Sequence, residues 1–234
     1  MHEHVAPLRQ ADIRSGGPIF SLAAQLARGR LTWWPQLGIG FYPVEAGHAP
    51  YDQDYFDRFD LQARSELGRA LMQARFNFVE QHYRGTLIDV GIGSGAFIEL
   101  RLGRRRTTYG YDVNPAGIEW LEERSLFVDP HLVSFDAAAL WDVLEHIPDF
   151  RSLIANVREW LFLSLPIFRD AEHALRSKHF RPDEHCWYFT REGLVIAMGM
   201  CGFTLITESS IETDLGREDI GMFAFKREIN GARL

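Results

Sequence analysis

The stretch "LIDVGIGSGAF", residues 87–97, runs from an apolar segment into an aspartate and then places three glycines within five positions. A chain gives up side chains in this way where its backbone turns sharply or lies against something. "TLIDV" is a short, continuously apolar run, as expected of a strand buried on both faces. "GAFIELRLG" then reads as a short helix closed by Gly103, and "TTYGYDV" as a second strand.

Outward from that stretch the alternation continues. Leu67, Leu71, Ala74 and Phe78 fall on one helical face, and that helix is predicted to stop near Arg84-Gly85. Asn114-Pro115 opens another helix, with Asn as N-cap, Pro at the first helical position, and Ile118 and Leu121 on its buried face. "SLFVD" (125–129) is a possible third strand and "LVSFDAAALWD" (132–142) holds a fourth. Asp149 caps a helix with Phe150, Leu153, Ile154 and Val157 on one face, and "WLFLSLP" is a fifth strand ended by Pro166. Arg169 to His185 is polar without a period and reads as a loop or lid. Thr190 caps the last helix, which ends at Cys201-Gly202. "FTLITES" and "IGMFAFKR" close the chain as two strands too closely linked to need a helical crossover. Strand–helix alternation from residue 67 to about 200 calls for a parallel sheet with helices on both faces. Its ligand belongs at the carboxyl ends of the strands.

The 234 residues divide into a polar tail (1–18), an aromatic-rich, irregular N-terminal cap (19–66) and the α/β domain (67–234) with a substrate-side loop at about 169–189. A net charge of -7 and a pI near 5.7 argue against nucleic acid and anionic membrane as partners. The N-terminus has no apolar h-region, and "WLFLSLPIF" is too short to span a bilayer. Two isolated cysteines, Cys186 and Cys201, fit reduced thiols and a cytoplasmic location. His173, His179 and His185, spaced by six with Cys186 adjacent, share no helical face, and Pro182 interrupts a strand, so no metal is expected.

The glycine loop matches two templates. Gly91, Gly93 and Ala96 form the G-x-G-x-x-G/A pattern of dinucleotide binding. Asp89 ahead of Gly91, Gly93 and Gly95 forms the other, in which the carboxylate faces a cation; beside a pyrophosphate it would be repelled. "LIDVGIGSG", "YGYDVNP" and "FDAAALWDVLEHIPD" in succession resemble the class I S-adenosylmethionine-dependent methyltransferases, over roughly residues 67–227. The likeness is to small-molecule members with a D-V-L-E-H-I segment after the fourth strand.

The resemblance implies a three-layer Rossmann-like fold: a seven-stranded, mostly parallel sheet with one antiparallel strand in a C-terminal hairpin. It also implies S-adenosyl-L-methionine as cofactor and a small-molecule acceptor; the chain is expected to be a monomer or homodimer. By the resemblance, Asp89, Gly91, Gly93 and Gly95 line the methionine side and Asp112 holds both ribose hydroxyls. Asp129 lies near the adenine amino group, and Trp141 and Asp142 near the transferred methyl. "LWDV" departs from the Asn/Asp-Pro-Pro-aromatic pattern of enzymes that methylate amino groups of bases or glutamine.

Candidate bases are Asp142, the Glu145-His146 pair, and His185 with Glu184. His179 and Tyr188 are candidates for binding the acceptor. The alternative for Glu145-His146 and for the 177–190 segment is a purely structural role. Tyr51 and Tyr55 line the pocket or simply pack. Two other functions share these features: a nicotinamide-dependent oxidoreductase using the same loop, and a non-catalytic cofactor or nucleoside binder.

Overall fold

The computed structural model describes residues 3–4, 29–44 and 51–228. The tail expected at 1–18 lies outside the described residues apart from Glu3–His4, and residues 19–28 and 45–50 of the expected cap lie outside them too.

The main sheet has six strands. Its members are β4 (Leu87–Val90), β5 (Thr108–Tyr111), β6 (Phe135–Trp141), β7 (Val157–Pro166), β9 (Phe203–Ser209) and β10 (Ile220–Arg227), in spatial order β5-β4-β6-β7-β10-β9. The first four pair in parallel, and β10 runs antiparallel to both β7 and β9. The seventh strand expected at "SLFVD" is reduced to one parallel bridge, Gly110–Phe127, beside β5. Two backbone bonds, Gly110 N–H to Leu126 O and Val128 N–H to Gly110 O, join it to β5.

The period-2 alternation of each strand sorts the core into two faces. Leu87, Ala137, Ala139, Trp141, Phe162, Met222 and Ala224 meet Phe76, Phe78 and Val79 of α2 (Glu66–Glu80) and Phe97 of α3 (Ala96–Gly103). On the other face Ile88, Val90, Ala138, Leu140, Leu161, Leu163, Phe223 and Phe225 meet α5 (Phe150–Ile154) and α7 (Arg191–Met200). α4 (Pro115–Glu123) covers β5, with Asn114 as its side-chain cap, and Leu121 buried against Ile92 and Ile98.

Several expectations are corrected. α2 stops at Glu80, not near Gly85, and is rotated from the predicted face: Leu67 is exposed, and Gly68, Leu71, Arg75, Phe76, Phe78 and Val79 are buried. α5 ends at Ile154, so Val157 begins β7. The polar stretch after Arg169 contains a short helix, α6 (Ala171–Arg176), capped by Asp170. α7 is followed by one further helix, α8 (Ile211–Asp214), between β9 and β10.

The described residues of the segment expected to be irregular also form regular elements. α1 (Gln53–Ala63) starts at Asp52, whose carboxylate accepts from Tyr55 N–H. β2 (Thr32–Trp34) and β3 (Ile39–Phe41) form a hairpin that belongs to a second sheet, with β1 (Glu3–His4) on one edge and β8 (Trp187–Phe189) on the other. The hairpin therefore grips the substrate-side segment through backbone pairing. Gly38 O accepts from Thr190 N–H, and the start of α7 lies directly against the hairpin turn.

Gly193 is the tightest point of that contact: a Cβ there would stand 2.0 Å from Gly38 O, whereas at Gly199 on the same helix nothing lies within 4 Å. Replacing Gly193 by Ala forces backbone apart and is expected to cost about 1–3 kcal/mol. Gly199→Ala is expected to stabilise by roughly 0.5–1 kcal/mol through helix propensity. Urea midpoints of the two variants check this; equal shifts would show that the hairpin is not seated on α7.

Candidate active site

β4, β5, β6 and β7 all present their carboxyl ends on one side, and the chain reverses its direction of winding between β5 and β6 on either side of β4. The glycine loop leaves β4 there. Gly91, Gly93 and Gly95 all have positive φ, at 73°, 57° and 78°. Each is also closed off by a neighbour from a different element: Val143 after β6, Phe59 of α1 and Trp120 of α4, respectively. The backbone conformation favours glycine at all three positions, and at Gly91 and Gly95 the space requires it as well.

Asp89, the third residue of β4, is 1% exposed and its Oδ1 has no hydrogen-bond partner. Burial raises its pKa to about 8; Arg75 pulls it down, and the charge of Asp112 pushes it further up. An acceptor atom buried without a donor fits a ligand that brings a cationic donor. Asp112, just past β5, is also buried, and desolvation raises its pKa against hydrogen bonds from the backbone of Asn114, Val113, Ile92 and Gly93. The Asn114 N–H donates to its Oδ1 at 2.8 Å. The carboxylate thus faces the glycine loop itself.

α1 closes the crevice from outside. Tyr51, Tyr55 and Phe59 form an aromatic ladder, with ring centroids 5.1 and 4.7 Å apart, that ends over Gly93. Burial raises the Tyr55 hydroxyl to about 12, and Tyr51 senses Glu184, Asp112 and Glu145 together. The ladder therefore spans from the glycine loop to the segment carrying Glu184. Asn114 ties it down, donating through Nδ2 to Asp52 O at 3.0 Å while capping α4.

Past β6 the chain enters a turn with Asp142 at φ 59° and a single 3-10 turn, Leu144–His146. Asp142 does not stand ready as a base. Arg75 and Arg217 both bond its carboxylate, at 2.8 to 3.0 Å, and hold its pKa below the usual range against the effect of burial. Arg75 and Arg217 are joined in turn by fully buried Glu212, and Arg75 also lies over the Trp141 ring at 5.2 Å. This four-residue charge network was missed in the sequence, where Arg75 between Leu71 and Val79 on a buried helical face was its one signal.

Trp141 is packed edge-on against Phe97 in the α2–α3 face, with a buried, unpartnered Nε1. Asp129 sits at the β5 edge and accepts from His131 N–H; its charge reaches the Tyr111 hydroxyl.

Of the substrate-side candidates, His185 brings its side chain to the β6 exit, and Glu184 meets His146 there through its backbone. The His185 ring lies 4.5 Å from that of His146, nearly perpendicular. Burial lowers both, His185 to about 3, so both imidazoles are neutral at neutral pH. A rate inflection at the ordinary histidine pKa is therefore not expected of His185. Glu184 pairs with Arg181 at 2.6 Å. His179 is elsewhere, its Nε2 on Glu218 O at 2.8 Å. Tyr188 is fully buried among Leu31, Trp33 and Phe168, and it donates its hydroxyl to His185 O.

The described family whose sequence model is named "Methyltransferase domain" matches residues 53–208, more than half of the chain. The chain belongs to this methyltransferase family. No curated protein matches the methyltransferase. Among solved structures it is similar to a SAM-dependent methyltransferase from Archaeoglobus fulgidus (16% identity, TM-score 0.54, covering 74% of this chain and 100% of that one). It is similar as well to magnesium protoporphyrin IX methyltransferase (ChlM) from Synechocystis PCC 6803 with bound SAH (15%, TM-score 0.53, 76% and 96%). A third is the glycopeptide N-methyltransferase MtfA complexed with sinefungin (13%, TM-score 0.51, 68% and 87%). At these identities the likeness establishes the class I methyltransferase fold.

The state of Asp89 has a measurable consequence. The folded chain holds a proton there that the unfolded chain has lost, so Asp89 makes stability fall as pH rises from about 4 to 8, by up to about 1.4 kcal/mol per unit. Asp89→Asn removes this dependence. Urea unfolding at pH 5 and pH 8 should show the variant gaining on wild type as pH rises; parallel pH dependences would show that Asp89 is ionised throughout.

Proposed function

We propose that the methyltransferase binds S-adenosyl-L-methionine against the glycine loop and transfers its methyl group to a small-molecule acceptor held between α1 and the 177–190 segment. The observation that carries this reading is the Asp89 carboxyl, buried at the root of the loop with Oδ1 unpartnered. On giving up its proton it matches the cationic amino group of the methionine moiety, and in that ionised form it would repel a pyrophosphate. Asp112 would take the ribose hydroxyls, and Asp129, on the same edge beyond β5, would lie toward adenine.

Bound there, S-adenosylmethionine supplies a methyl carbon already activated by a sulfonium. What remains for the chain is alignment and exclusion of water. Orientation of two reactants yields effective molarities of about 10⁵ M or more. The glycine loop gives close backbone approach, and the Tyr51–Tyr55–Phe59 ladder covers the crevice. The network of Arg75, Asp142, Arg217 and Glu212 fixes the exit of β6, where the methyl group would point. On the acceptor side, neutral His185 and His146 would accept a hydrogen bond from the incoming nucleophile, with Glu184 held aside by Arg181. The nicotinamide alternative gives Asp89 no role and finds no support in the family.

Thermal-shift and calorimetric titration with S-adenosylhomocysteine tests the cofactor half. Saturating ligand at 100 times Kd should add about 2.7 kcal/mol. Asp112→Ala should weaken binding by about 2–4 kcal/mol, tens- to several-hundred-fold, by losing charge-assisted bonds to two hydroxyls. Stabilisation by NADH and none by S-adenosylhomocysteine would overturn the reading. For the acceptor half, S-adenosylhomocysteine release is measured across a panel of small hydroxyl-, amine- and carbon-acid acceptors. Turnover by one of them is expected; tight cofactor binding with no turnover by any would make the chain a binder.

A further inference from the structure

Three side chains converge beyond β6 from segments forty residues apart. One ligand-type atom each from Glu145, His146 and His185 lies within 4.8 Å of the other two. The arrangement is fixed by backbone, not by the side chains themselves. Glu145 O accepts from Cys186 N–H at 2.8 Å and from its thiol at 3.1 Å, and the Trp187 indole N–H donates to Ile147 O and Pro148 O. The 3-10 turn bearing Glu145 and His146 is thereby clamped to the strand entry bearing His185.

Charge matching singles out Glu145 among the acidic groups here. Asp142 and Glu212 are answered by Arg75 and Arg217, and Glu184 by Arg181. Among the described residues no cation pairs with Glu145, which is 2% exposed and whose Oε2 has no hydrogen-bond partner. His146 Nδ1 is likewise buried and unpartnered, while the ring hydrogen-bonds the Glu184 backbone. That second contact is the usual way a protein orients a metal-ligating imidazole.

We propose that Glu145, His146 and His185 form a binding site for a divalent transition-metal ion. Two ligands each about 2.1 Å from an ion stand no more than about 4.2 Å apart, so the cluster closes on one with shifts of under about 1 Å. Two imidazoles and one carboxylate suit zinc, cobalt, manganese or iron(II); magnesium and calcium prefer all-oxygen sets. Three protein ligands leave coordination positions open. Tyr51, which is shifted by burial and then by the charges of Glu184, Asp112 and Glu145, links this cluster to the crevice beside Asp112. An oxygen ligand fits the open positions, and an ion there would acidify a coordinated hydroxyl. The site was not apparent from the sequence because the six-residue spacing grouped His185 with His173 and His179 and not with Glu145 and His146, about forty residues away. The structure commits His173 to Asp219 and His179 to Glu218 O.

The test is titration of the chelator-stripped full chain with Co²⁺, followed by visible d–d absorption and calorimetry, and repeated with Zn²⁺ in competition. One Co²⁺ site with d–d bands is expected. Glu145→Gln, which keeps the shape, and His146→Ala should each weaken it by more than the about 10–100-fold that loss of an outer-shell partner costs. His173→Ala should leave it unchanged. S-adenosylhomocysteine titration of the same samples reports separately on the cofactor site: cobalt binding without it overturns the methyl-transfer reading alone. No Co²⁺ binding in wild type, or equal affinity in wild type and Glu145→Gln, overturns the metal site.

Discussion

The left-handed backbone at Gly91, Gly93 and Gly95 is the constraint around which this molecule is assembled. Three positive φ angles in five residues turn the chain from β4 into α3 with no side chain in the way. The cleared volume is then used by three other elements. Val143 from the β6 exit, Phe59 from α1 and Trp120 from α4 each approach one of the glycines. A side chain at any of the three would strain the backbone; at Gly91 or Gly95 it would also displace a neighbour. The loop is thus both the surface offered to the cofactor and the point where cap, sheet and helices register.

On the other side of the sheet ends, order comes from charge. Arg75 leaves α2 into the core and reaches Asp142, Ser164 and Glu212. Arg217 completes the ring from the loop before β10. Burying charge is costly, and Arg75 and Glu212 are both buried here; removing one partner of such a pair leaves an uncompensated charge at about 3–5 kcal/mol. The return is positional: Asp142 adopts φ 59° at the turn that carries Glu145 and His146, and the network locks that turn to α2, α8 and β7. Asp142 acts through this geometry, which explains why a carboxylate so near the expected methyl position has no free oxygen with which to take a proton.

The elements that could be read from the sequence are those whose signals are local. β4, β5, β6, α3 and α4 follow from apolar runs, glycines and the Asn114-Pro115 cap, and Asp89 and Asp112 from their places at strand ends. What escaped depended on partners distant in sequence. The Thr32–Phe41 hairpin is short and aromatic without a period, and it becomes a sheet only by pairing with Trp187–Phe189. Tyr188 pairs with Gly40 across that sheet and is buried, which its place after a polar segment does not announce. Arg75 on an apolar helical face signalled a buried charge without naming Asp142, Glu212 or Arg217. "SLFVD" has strand composition but forms only one bridge, Gly110–Phe127, beside β5.

The central claim is that Asp89 receives the cationic end of the cofactor. An unpartnered carboxyl with a pKa near 8 is protonated at pH 6.5, whereas an α-ammonium is charged there. Docking the two requires the carboxyl to give up its proton. Calorimetric titration of S-adenosylhomocysteine at pH 6.5, in two buffers of different ionisation enthalpy, counts that proton. Release approaching one proton per ligand, abolished in Asp89→Asn, is the predicted result. Binding with no net release, and the same in wild type and Asp89→Asn, would contradict it.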